Sequence, residues 1–62
     1  MKITLTYHGP IAGWEWSLIL AGKLVNGTGY KSRQTVRRGA MNWTDWACDE
    51  LYCNPIEWEV VE

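Results

Sequence analysis

Few side chains in this sequence can do acid–base or covalent chemistry, and they are scattered. His8 is the single histidine and stands in "YHGP", at a turn. A solvated or hydrogen-bonded turn residue is the simplest reading of it. Cys48 and Cys53 are the two cysteines. With one distant histidine they make a poor metal set, because structural zinc takes four ligands at short paired spacings. Five positions apart on an unbroken helix, the thiols are also too distant to bridge. A disulfide would need the last helical turn to open, and whether they pair stays undecided. "GTG" at 27–29 lacks the glycine spacing and the lysine of a phosphate loop. In "DEL" at 49–51 the two carboxylates are adjacent, so on a helix they point different ways. The sequence therefore predicts no catalytic residue, no metal and no cofactor, and the search moves from reaction to recognition.

Recognition has better material. Residues 1–38 hold all six bases and one acid, Glu15, whereas residues 39–62 hold six acids and no base, for a net charge of −1. Such an asymmetry between halves can mark a charged interaction surface. In "RRGAMNWTDWACDELYC" the charges oppose the helix dipole: Arg37 and Arg38 come early, Asp49 and Glu50 late. Each charge near the wrong terminus costs ~0.3–1 kcal/mol, so the order suggests a use outside the chain. Met41, Asp45, Cys48 and Tyr52 form a stripe at spacings of four, three and four, with Trp46 at its margin. Tyr, Trp and Met are favoured in interface centres. The expected partner-binding residues are Asp45, Asp49, Glu50, Glu57 and Glu59, with Met41, Trp46 and Tyr52 as apolar anchors. The competing reading is nucleic acid: "YKSRQTVRR" places Lys31, Arg33, Arg37 and Arg38 at a helix start, where they could neutralise phosphates. A pI of about 5.7 and the acids on the same helix weigh against it.

The elements that position these residues follow from periodicity. "KITLTYH" alternates, with Ile3, Leu5 and Tyr7 on one face, and so reads as a half-buried strand. "GPIAG" breaks it. "WEWSLIL" puts Trp14, Trp16, Leu18 and Leu20 on one face; "AGK" is a tight turn, and a third strand spans roughly Lys23 to Tyr30. Gly27 and Gly29 within it suggest a bulge or a close backbone approach. Ser32 is a helix N-cap. From there Val36, Ala40, Trp43, Ala47 and Leu51 make the core stripe. Gly39 costs ~1 kcal/mol against alanine in mid-helix, which predicts a tight contact there, with a tryptophan of the sheet. "CNP" ends the helix, and "IEWEVV" is a last strand with Ile56, Trp58 and Val60 inward and Glu57 and Glu59 outward. The whole, residues 1–62, reads as one small α+β domain. Its order is β-β-β-α-β, with one helix on one face of a four-stranded, mostly antiparallel sheet. The last strand should run parallel to the first or the third. Five tryptophans and three tyrosines in 62 residues supply large core groups in place of the staple such short chains usually need. "MKITLTYHG" is no signal peptide and nothing approaches a membrane span, so a cytoplasmic location is expected. An exposed edge strand leaves monomer and weak homodimer both open.

Residues 14–42, with the aromatic strand "WEWSL", the stretch "GKLVNGTGY" and the Ser-capped "SRQTVRRGA", resemble the YegP-like family of small ββα domains. That resemblance implies a fold rather than an activity. The whole chain, short, acidic and without an active-site motif, is similar in overall look to the phage anti-CRISPR proteins. This likeness implies a non-enzymatic inhibitor. It would dock by protein–protein contact on a DNA-binding subunit of a bacterial CRISPR surveillance complex, where an acidic surface mimics DNA and blocks target access. No direct nucleic-acid contact is expected in that reading. The alternative is a small DNA-binding accessory domain using the basic helix start.

Overall fold

The computed structural model describes residues 1–47 and 56–62. Strands β1 (Lys2–Tyr7), β2 (Trp14–Leu20) and β3 (Lys23–Tyr30) are followed by helix α1 (Arg33–Ala47) and strand β4 (Glu57–Val61). The sheet order is β3-β2-β1-β4. β1–β2 and β2–β3 are antiparallel, and β4 joins β1 in parallel, Lys2 opposite Glu57 and Leu5 opposite Val60. This is the β-β-β-α-β domain the periodicity predicts, and of the two edges open to a parallel last strand β4 takes that of β1. The expected helix end at "CNP" and the inward positions of Leu51 lie outside the described residues.

β2 and β3 are joined by two residues, Ala21 and Gly22, both with positive φ (52° and 78°). This is the mirror-image turn whose twist matches a hairpin. Alanine in the left-handed region is strained by ~1–2 kcal/mol. Between Trp14 and Trp16 the β2–β3 register slips, from Trp14 opposite Tyr30 to Trp16 opposite Gly27. That is the bulge the two glycines announce. It makes room for Trp16: a Cβ on Gly27 would run into the Trp16 indole, so only glycine lets the ring approach the β3 backbone this closely.

The N-terminus of α1 is closed by a reciprocal pair. The Thr35 amide donates to Ser32 Oγ at 3.1 Å, and the Ser32 amide donates to Thr35 Oγ1 at 3.1 Å. Threonine thus takes the third-position role that glutamate plays in a capping box. The buried core is Ile3, Leu5, Trp14, Trp16, Leu18, Val36 and Ala40. Trp43 leans on Trp16 with ring centroids 5.7 Å apart. Thr44 joins this face, buried and with its hydroxyl donating to the Met41 carbonyl at 2.9 Å. A threonine that satisfies its own hydroxyl within the helix can face the core.

Tyr7 ends the face it shares with Ile3 and Leu5: it is 39% exposed and lies against the buried Trp14, ring centroids 5.1 Å apart. One expectation is corrected. The group that fills the space above Gly39 is not a tryptophan but Tyr30, whose phenol occupies the position a Cβ would take. Trp16 Nε1 lies 3.4 Å from the same hydroxyl, so Tyr30 reaches under the helix from the end of β3 and receives a long hydrogen bond from the core.

Candidate protein-interaction surface

The helix layer and the open face of the sheet carry the two sets of expected contact residues. On α1, Asp45 is exposed with Met41 (37% exposed) and Trp46 (77%) on either side of it. Met41 and Trp46 are five residues apart, roughly 140° around the helix, so the three residues define a broad solvent-facing surface. Among the described residues Asp45 makes no ion pair. Asp49, Glu50, Tyr52 and both cysteines lie outside the described residues, and with them the disulfide question.

The β4 carboxylates stand elsewhere. Alternation sends Trp58 and Val60 toward the core and Glu57 and Glu59 to the opposite face. Asp45 and the pair Glu57/Glu59 are therefore separated by the thickness of the sheet and do not form one patch. Glu59 is also engaged within the chain. Lys2 Nζ is 3.4 Å from one of its oxygens, and Thr4 Oγ1 donates to the other at 3.5 Å. This pair is half exposed on both sides, so it is worth little in stability, but it cancels one of the acids available to a partner. Glu57 makes no ion pair among the described residues. The separation was missed because helix spacing and strand alternation each order residues within an element; only the stacking of the two elements says which faces meet.

The basic set sits around the start of α1. Lys31, Arg33, Arg37 and Arg38 are all exposed, and among the described residues none meets a carboxylate. Arg37 has a different partner: its guanidinium carbon lies 4.9 Å from the centre of the Trp58 ring. A cation over an indole face is stabilised by the ring quadrupole. This gives one part of the reversed charge order a structural use, since Arg37 ties the helix to β4 across the inner face of the sheet.

A polar cluster that the sequence did not announce lies on the open sheet face. Asn26 Nδ2 donates to Glu15 Oε2 at 2.8 Å, and His8 Nε2 donates to Glu15 Oε1 at 2.7 Å. Both oxygens of Glu15 are thus satisfied, and the carboxyl is held below its ordinary pKa of 4.5, first by Asn26 and then by His8. A carboxylate whose pKa is lowered on folding contributes stability above its unfolded pKa and loses it as the pH falls through the folded one. The loss is accordingly expected below about pH 4.5. Thermal unfolding followed from pH 6 to pH 3 should show a smaller fall in Tm for Glu15→Gln than for the parent chain. Equal falls would mean that the cluster contributes nothing to acid sensitivity.

Among the described residues no three of His, Cys, Asp and Glu come together to hold a metal ion, and no helix is long and apolar enough to cross a membrane. No family model matches the chain, and no curated protein or solved structure matches it.

Proposed function

We propose that this protein is a non-enzymatic binding module of the host cell cytoplasm that acts by protein–protein contact. We further propose that it inhibits a bacterial CRISPR surveillance complex by occupying surface meant for target DNA. The observation that carries this reading is the 77% exposed Trp46 beside Asp45, which makes no ion pair among the described residues. A rigid aromatic anchor next to a carboxylate is what a basic partner surface with an apolar pocket would recognise. Asp49, Glu50 and Tyr52 follow Trp46 in sequence and extend the acidic, aromatic character of the stretch. The mechanism is competition: Asp45 of α1 and the carboxylates that follow it in sequence meet lysines and arginines that would otherwise hold phosphates.

The split between helix and β4 makes the test specific. In a reconstituted complex, Trp46→Ala with Asp45→Lys should weaken inhibition by about 30-fold or more, the ~2 kcal/mol scale of an interface hot spot. Glu57→Lys with Glu59→Lys should leave it nearly unchanged. Full inhibition by the helix variant would end this reading.

A second reading, a small DNA-binding accessory domain, is favoured by one observation: Lys31, Arg33, Arg37 and Arg38 are exposed and meet no carboxylate among the described residues. A gel-shift titration separates the two. Binding that falls steeply with salt, with a slope set by the number of phosphates neutralised, supports DNA binding. No binding at low salt supports the inhibitor.

A further inference from the structure

A four-stranded sheet is wider than one helix. With strands ~4.8 Å apart the outer strand axes stand ~14 Å from each other, whereas a helix with its side chains is ~10 Å across. α1 lies over β2, β3 and β1, and its backbone does not pack on β4. The uncovered strip is a groove of about 540 Å³ lined by Leu5, Arg33, Gln34, Arg37, Trp58 and Val60. Its floor is apolar: Leu5 belongs to the buried core, and Trp58 and Val60 are half-buried against it. One wall is the first turns of α1, with two guanidinium groups.

We propose that this groove seats an acidic amphipathic helix of a protein partner, laid beside α1 on the inner face of the sheet. Three features select that occupant. The floor is apolar, with Trp58 and Val60 half-buried over the core residue Leu5, and would take apolar side chains of a helix at the usual interaxial distance of ~8–10 Å. Arg33 and Arg37 are four residues apart, which places them ~6 Å apart along the axis of α1. Two carboxylates four apart on a helix aligned with α1 have the same spacing, so both pairs can form at once. Finally, neither guanidinium meets a carboxylate among the described residues, and stacking over Trp58 holds Arg37 at the groove. A stacked guanidinium keeps its edge N–H groups free for bidentate bonding, so the docked carboxylate adds to the Trp58 contact instead of replacing it. This surface differs from the one carrying Met41, Asp45 and Trp46, and the two can be tested apart.

The probe is a synthetic 18-residue helical peptide with leucines along one face and glutamates four apart beside them; its control has lysine in place of glutamate. Each is titrated into the full-length ¹⁵N-labelled chain. The acidic peptide should move the Trp58 indole N–H and the amides of residues 33–37 and 57–60, and should bind about tenfold or more tighter than the lysine peptide. In Arg33→Glu/Arg37→Glu the preference should invert. That variant should stay folded, because an acid at 33 suits the first turn of α1 and the exposed Arg37 gives up only its contact over Trp58, a small loss at an open site. Equal affinity for both peptides, or shifts centred on Met41 and Trp46, would overturn the proposal. Two further results would do the same. Duplex DNA that moves Arg33 and Arg37 but not Trp58 would assign the wall to phosphates. Self-association abolished by the same two reversals would assign the groove to a second copy.

Discussion

Trp16→Ala should remove most of the folding free energy of this domain. The Trp16 side chain is 4% exposed, packs on Trp43 at 5.7 Å and lies directly beneath Gly27. Truncating a buried tryptophan costs ~3–5 kcal/mol, transfer and cavity together. A domain of this length has only about 3–9 kcal/mol in total, from ~0.05–0.15 kcal/mol per residue. Urea denaturation followed by far-ultraviolet circular dichroism should therefore show a midpoint near zero denaturant, or no transition at all. Trp46→Ala, at a 77% exposed position, should change stability by no more than ~0.5 kcal/mol. The two tryptophans thus divide the work, one building the core and one left for contact. A loss below about 1 kcal/mol for Trp16→Ala would mean that the bulge at Gly27 does not exist to house the ring.

The second large effect is expected at Gly13. This residue has φ of +74°, its carbonyl accepts from the His8 amide at 2.8 Å, and its amide donates to the Gly9 carbonyl at 2.8 Å. A Cβ here would overlap the backbone oxygen of Tyr30 on β3. The left-handed conformation alone costs alanine ~1–2 kcal/mol. The clash adds to this, because a paired backbone cannot rotate away as a side-chain tip can. Gly13→Ala should lose about 3 kcal/mol or more, in the class of strained-backbone substitutions. Gly39→Ala offers the contrast. Its obstacle is the Tyr30 side chain, so in a Tyr30→Ala background the same change should turn favourable by ~1 kcal/mol through helix propensity. Thermal unfolding of the four variants decides between the two accounts.

The β-strands were legible because each is short and alternates cleanly, as in "ITLTY" and "WEWSL". The order of events along the chain was enough to make β4 parallel to β1 or β3, but not to say which edge it would take. Ser32 declared the start of α1 by its chemistry, and the glycines of β3 declared the bulge. What escaped was every contact that joins elements by the length of a side chain. Tyr30 under Gly39 and Arg37 over Trp58 depend on reach and on the offset between α1 and the sheet, which no period encodes. The acidic residues show the same limit. Their number and signs were readable, and so was the outward direction of Glu57 and Glu59. That Asp45 lies on the far side of the sheet from them, and that Lys2 takes up Glu59, became visible only once α1 was laid on a particular face.

The parallel seam between β1 and β4 sets how this domain must assemble. The hairpins β1–β2 and β2–β3 close over a few residues, whereas Lys2 meets Glu57 across 55 positions. Closing so long a loop delays the reward of its contacts. The meander and helix can gather early, but β1 remains an unpaired border until β4 arrives. A chain paused at that stage presents Ile3 and Leu5 beside a bare hydrogen-bonding edge, so its vulnerable moment for clumping with its neighbours is the wait for its final strand.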